Sequence, residues 1–311
     1  RQHRAAVAHP LREDALRTPA HRFECLPGYP WTGHFLSDLP ALAGLRLHYL
    51  DEGPVQAERT YLCLHGSPGW SYLYRKMIAE LLAAGQRVVA PDLIGFGKSD
   101  KPKRAQAHRF GWHRQVLLEL IERLDLQHIV LVGHDWGGLL GLTLPMAAAQ
   151  RYAGLLLMNT ALTTGETPVP PGLDAWAQMC QRQPGFDIAG LVASDNPQLS
   201  AQECAAYMAP FPDQGHRAAI GAFAAMLPRG PDDDGAALAR AAREFFYSRW
   251  TAPSFMAIGE QDPVLGVAPM EALHAMLPGC PAPLYLAQSG QLVPEHGQQV
   301  VLAALRHFAQ V

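Results

Sequence analysis

A dominant charge sign is what this sequence most plainly lacks: 25 Lys and Arg stand against 28 Asp and Glu, for a formal net charge of −3. That balance offers no basic field to draw in nucleic acid and no polybasic patch for a membrane surface. No apolar run approaches the ~20 residues that cross a bilayer. Cysteine is scarce: Cys25, Cys63, Cys180, Cys204 and Cys280 are scattered, odd in number and without metal-ligand spacing. A reduced, cytoplasmic setting is the expectation. Gly95-Phe96-Gly97 is too short and misplaced for a dinucleotide fingerprint, and no metal or organic cofactor is implied. No internal repeat is visible. Residues 1–16 are polar and Ala-rich with no apolar h-region, so they read as an N-terminal extension rather than a secretory signal.

What is present is enough apolar residue (49% of 311) for one sizeable core plus an inserted segment. Short Val/Leu/Ile-rich runs at 45–51, 60–65, 87–91, 128–133, 154–159, 254–259 and 282–287 read as strands, several of them covered on both faces. Helical patterns at 72–84, 114–124, 139–150, 236–248, 269–277 and 295–310 alternate with them. Such alternation implies an α/β fold with a mostly parallel sheet flanked by helices. Between about Ala161 and Asp233 the pattern changes: Pro and Gly become frequent, no strand is evident, and short helices are expected near 174–180 and 201–208. The segment reads as a helical cap (161–233) over a core made of 17–160 and 234–311, placed where open parallel sheets bind ligands.

The chemistry-bearing signal is Gly133-His134-Asp135-Trp136-Gly137-Gly138, set between a strand and a helix. This is the layout of a nucleophile elbow, with Asp where Ser is commoner. A carboxylate is a competent nucleophile toward alkyl carbon and is ionised near neutral pH, so the first displacement needs no base. The plainer reading is a tight turn with a helix-capping Asp. Two neighbours count against it: His65-Gly66-Ser67-Pro68 ends an earlier strand, where an oxyanion-hole N–H is expected, and Pro91–Pro102 forms the next strand-to-loop corner.

With those segments in view, the chain resembles the haloalkane dehalogenases, in particular the dichloroethane-type subfamily. The stretches that carry the likeness are His65–Met77, Pro91–Pro102, Asp135–Gly138 with Gly141–Met146, Ala209–Asp213 and Phe255–Gly259, and it runs from about Arg17 to the C-terminus. The resemblance implies an α/β-hydrolase fold with an inserted helical cap, acting on small halogenated organic molecules with water and releasing halide. It implies Asp135 as nucleophile, Trp136 and Trp176 as halide-binding tryptophans, and Asp262 as the acid that orients the catalytic His. Trp176 also reads as a cap-core aromatic, and Asp262 as an exposed turn residue before Pro263. A monomer is the default expectation.

Two positions depart from the family pattern. Where the catalytic His belongs, in the turn 287–293, this chain has Gln291. An amide takes no proton from water at neutral pH, so the route from alkyl ester to alcohol is in doubt. His296 lies on the following helix and is expected to face elsewhere; His65 and His134 read as structural hydrogen-bonders. Ser67 stands where the subfamily usually has an acid that helps hold water or halide. An epoxide hydrolase is the nearest rival, but it needs two cap tyrosines and residues 161–233 contain only Tyr207. A non-catalytic binding protein on the same scaffold is the other.

Overall fold

The computed structural model describes residues 9–310. In chain order the elements are β1 (Ala15–Leu16), β2 (His34–Leu36), β3 (Leu47–Glu52), β4 (Thr60–Leu64), α1 (Arg75–Ala83), β5 (Arg87–Asp92), β6 (Lys101–Pro102), α2 (Phe110–Arg123), β7 (Ile129–His134), α3 (Trp136–Gly141), β8 (Tyr152–Met158), α4 (Pro171–Arg182), α5 (Ile188–Asp195), α6 (Ala201–Ala206), α7 (Ala218–Ala225), α8 (Ala236–Ser248), β9 (Ser254–Gly259), α9 (Val267–His274), β10 (Leu284–Leu286) and α10 (Gly297–Ala309). Eight strands form one sheet in the order β10-β9-β8-β7-β4-β5-β3-β2. The pairs from β10 to β5 are parallel; β3 runs antiparallel to β5, and β2 to β3.

The apolar runs of β4, β5, β7 and β9 are buried at every position. Strands buried on both faces need no polar alternation, which is why the sequence shows none. The flanking helices turn one apolar stripe inward: Met77, Ile78 and Leu81 on α1, and Val300, Val301, Ala304 and Phe308 on α10. The chain therefore has the mostly parallel, helix-flanked α/β architecture that the pattern implied.

Some element boundaries move for identifiable reasons. The helix expected over 139–150 starts at Trp136 and stops at Gly141, followed by 3₁₀ turns at Pro145–Ala147 and Ala149–Arg151. Thr143 Oγ1 donates to the Leu140 carbonyl and Pro145 has no N–H to continue the ladder. Two helices went unanticipated. Of these, α7 (AAIGAFAA) is apolar nearly all round and so has no readable period. Residues 9–16 are not a loose extension: Ala15 is buried, β1 pairs with β6, and His9 Nδ1 meets Ser37 Oγ at 2.8 Å. That pairing joins segments some 85 residues apart, which local composition does not reveal. Residues 1–8 lie outside the described residues.

Between β8 and β9 the chain passes through α4–α8 without a strand. Asp187 caps α5 through the Gly190 N–H, and Ser200 with Glu203 forms a capping box on α6. A buried ion cluster ties α6 to the sheet side. Arg75 donates to both Glu295 oxygens and to Glu203, and the Tyr207 hydroxyl donates to Glu295. Breaking such a buried pair by removing one partner typically costs about 3–5 kcal/mol.

One close approach fixes the helix that follows β7. A Cβ on Gly137 would lie 1.9 Å from the Leu64 carbonyl oxygen, a backbone atom that cannot swing aside. Gly137→Ala is expected to destabilise the fold by about 3 kcal/mol, read as a lower urea midpoint with unchanged slope. A midpoint within error of the parent would show that α3 does not need this approach.

Candidate active site

Asp135 sits where β7 turns into α3, with φ 52° and ψ −127°, a backbone conformation that non-glycine residues rarely hold. Two hydrogen bonds hold it: Asp135 N donates to the Asn159 carbonyl at 3.0 Å, and Thr160 Oγ1 donates to the Asp135 carbonyl at 2.7 Å. The side chain rises into the space above the sheet and is 2% exposed. Its Oδ2 accepts the Ser67 backbone N–H at 3.0 Å. Gly66 makes this possible, since a Cβ there would lie 2.3 Å from that same oxygen. Burial pushes the Asp135 carboxyl up to about 6, against the lowering effect of the Trp136 and Ser67 backbone N–H groups and the Gln291 side chain.

Trp136, Trp176 and Ser67 line one small cavity with Leu173, Ala177 and Ile220, of about 10 Å³. That is on the scale of a single water-sized species. Trp136 is 5% exposed and packs edge-on against Phe223; Trp176 packs edge-on against Phe186. The indole N–H groups of Trp70, Trp112 and Trp250 donate to Ala206, Ala41 and Ser254. Among the described residues, those of Trp136 and Trp176 have no protein acceptor. Ser67 and Trp176 also border a second chamber of about 50 Å³, where Asp135, His134, Phe186, Tyr207 and Gln291 meet. A larger open cleft of about 600 Å³ lies between residues 161–172 and α9; Asp262 borders it and Asp135 does not.

Asp262 stands behind the site, buried, in the turn after β9. Its oxygens accept from Val264 N at 2.8 Å, Leu265 N at 3.1 Å and Asn159 Nδ2 at 3.1 Å. Burial raises its pKa while these donors oppose the rise. Gln291 lies in the turn between β10 and α10. Its carbonyl accepts from the Val293 N–H and from His134 Nε2, the latter at 2.6 Å. With Nε2 donating, neutral His134 carries no proton on Nδ1, and that buried atom has no partner among the described residues. Burial lowers the His134 pKa. His65 is a structural corner residue: Nε2 accepts the Leu93 N–H, so Nδ1 donates to the Gly66 carbonyl. His296, at the end of the 3₁₀ turn Val293–His296, lies near Lys76 and Glu295 and borders neither the chamber beside Asp135 nor the tryptophan cavity.

The structure thus brings Ser67, Asp135, Trp136, Trp176 and Gln291 around two adjoining cavities and sets Asp262 behind them. Three contributors escaped the sequence reading. Asn159 bridges Asp262 to both backbone groups of Gly259, at a φ of 24° that Asn tolerates better than most residues. An Asn directly after a buried strand was the available signal. Thr160 and Tyr207 carried none, because their partners are distant in sequence. Among the described residues, no group of His, Cys, Asp and Glu is placed to hold a metal ion, and no helix is long and apolar enough to cross a membrane.

Comparison with known proteins agrees with this geometry. A family model for the alpha/beta hydrolase fold matches residues 61–282. A haloalkane dehalogenase of Psychrobacter cryohalolentis is 38% identical over 297 residues, covering 94% of this chain and 97% of that protein. Haloalkane dehalogenase 1 of Mycobacterium tuberculosis is 42% identical over 82% of this chain and 85% of its own. The solved tetrameric structure of haloalkane dehalogenase DpaA from Paraglaciecola agarilytica superposes with a TM-score of 0.92 at 44% identity, covering 96% of this chain and 99% of that one. The chain belongs to the haloalkane dehalogenase family, hydrolases of the α/β-hydrolase fold that act on carbon–halide bonds.

Proposed function

We propose that this chain opens the carbon–halide bond of a small haloalkane through Asp135 and then holds the alkyl group as an ester. The carboxylate oxygen not bound by the Ser67 N–H attacks the halogenated carbon. The carbon–halogen bond breaks, and halide leaves with the bonding pair into the cavity between Trp136 and Trp176. Two uncommitted indole N–H groups suit that charge, and Ser67, on the same wall, supplies a hydroxyl in place of an acid. The Ser67 backbone N–H holds the other oxygen, which becomes the ester carbonyl, and the Trp136 backbone N–H also favours negative charge on this carboxylate. Hydrolysis then needs a base to take a proton from water as it attacks the ester carbon, with Asp262 to steady that base. At the position that would supply it stands an amide, and the neighbouring carboxylate has three donors of its own. The observation that carries this reading is the placement of Gln291 against a buried Asp135 that Ser67 holds ready.

Incubation with 1-bromobutane is expected to release close to one equivalent of bromide per chain and to add one butyl group to the intact mass. An unmodified mass with no bromide release would favour the binding-protein reading. The epoxide reading is weakened because the Tyr207 hydroxyl is committed to Glu295 and has no free proton for a ring oxygen. A single chain is taken as the functional unit, although the DpaA relative is tetrameric. A cytoplasmic setting is supported by five cysteines that are all free, four of them buried.

The ionised form of Asp135 is the nucleophile, so alkylation should slow as pH falls through about 6. At pH 5 the rate is expected to be about a tenth of its plateau. The linkage to folding runs the other way. A carboxyl raised from 3.8 to about 6 favours the native state below its unfolded pKa, and that contribution is lost as pH rises through 6. Asp135→Asn should therefore narrow the drop in Tm between pH 4 and pH 8. A pH-independent alkylation rate between 5 and 8 would contradict the assignment.

A further inference from the structure

We infer that a groove on the N-terminal side of the molecule binds a small organic anion: a carboxylate or phosphate carried on a flat apolar body. The groove, of about 470 Å³, is lined by Arg17, Phe23, Phe35, Arg46 and Lys98 with Thr18 and Thr32. Asp135 and both tryptophans of the active site are elsewhere.

The charges in this groove do not balance. Arg17 is neutralised by Asp100 through bonds of 2.7 and 2.9 Å, and the other acceptor capacity of Asp100 goes to the Arg46 backbone N–H. Among the described residues, neither the Arg46 guanidinium nor the Lys98 ammonium has a carboxylate within ion-pair distance. Residues 1–8 contain no Asp or Glu. Arg46 Nε is buried and has no hydrogen-bond partner among the described residues. Partly buried cations usually find one. In a chain of net charge −3, two cations converging unpaired on one groove are an exception to the surrounding surface. Burial disfavours the charged forms of both His9 and Arg46, and Arg17 adds to it in each case while Asp100 opposes it.

The apolar walls define the rest of the ligand. The Arg46 guanidinium lies 3.9 Å over the Phe35 ring, and Lys98 Nζ lies 5.5 Å over Phe23. Phe23 and Phe35 thus give the groove aromatic wall for an apolar body, while the guanidinium fork and the ammonium meet oxygens at its charged end. One wall also grips the helical excursion. Thr18 Oγ1 donates to the Pro210 carbonyl at 2.6 Å, and Phe23 packs on Trp70, which donates to Ala206. A ligand here would bear on the segment that carries Tyr207.

The test is calorimetric titration of the full chain with phenyl phosphate, benzoate and, as the uncharged counterpart, benzyl alcohol. Saturable binding of phenyl phosphate or benzoate is expected, stronger than benzyl alcohol and weakening as salt rises from 50 to 200 mM. Whichever of the two anions binds more tightly identifies the head group. Arg46→Gln and Lys98→Gln are each expected to lower the affinity about tenfold. Lys98 is part-exposed and pairs with no carboxylate, so its variant keeps the fold even where Arg46→Gln does not. Anion binding no stronger than benzyl alcohol, or unchanged in Lys98→Gln, overturns the proposal. Protein treated with 1-bromobutane should bind the anion as untreated protein does; loss on that treatment would place the anion at Asp135 and overturn it too.

Discussion

Replacing Gln291 by His is expected to raise sustained bromide release by about 10²–10⁴-fold, the usual contribution of a positioned general base. The rate of the first alkylation should stay within a few-fold of the parent, since that step uses only the carboxylate and the halide-facing donors. The expectation rests on how firmly position 291 is held. Its carbonyl accepts from His134 and from Val293, and four residues on, Glu295 is locked by Arg75 and Tyr207. An imidazole introduced there enters a turn that is already fixed, beside the carboxylate it must serve. Steady-state bromide release that is unchanged in the variant would show that this turn is not where the base belongs.

Trp176→Phe is expected to slow the first alkylation by about 10²–10³-fold, the cost of losing one donor to a developing anion in a dry site. Phe keeps a ring against Phe186 and removes only the N–H that has no protein acceptor. Trp136→Phe should act similarly, although its ring is also wedged between Phe110 and Phe223 and part of its effect will appear as lost stability. Trp112→Phe, whose N–H is committed to Ala41, should leave alkylation unchanged and shows what loss of an ordinary indole hydrogen bond does. Single-turnover bromide release separates these cases. An equal rate in Trp176→Phe and the parent would remove Trp176 from the halide site.

Much of this was legible before any coordinates because its signals are local. Gly133–Gly138 announces a sharp strand-to-helix turn, since Gly137 must pass the Leu64 carbonyl and Gly138 must pass Thr160. The continuous apolar runs of β4, β5, β7 and β9 announce strands covered on both faces. Other features are long-range. The cluster of Arg75, Glu203, Tyr207 and Glu295 joins residues up to 220 positions apart, and the order of residues 9–16 depends on a two-residue pairing with Lys101 and Pro102. Pro145 could have shortened the helix after the elbow had its missing N–H been given more weight than the apolar period. The roles of Ser67, Trp176, Asp262 and Gln291 came from resemblance; their positions relative to Asp135 came from the fold.

The most direct measurement is intact mass followed by peptide mapping, after exposure to 1-bromobutane and several hours without it at pH 8. One butyl group is expected on the peptide containing Asp135, undiminished over that time and missing from Asp135→Asn. An unmodified chain that nevertheless keeps releasing bromide would contradict it, because the ester would then be finding its water without His at position 291.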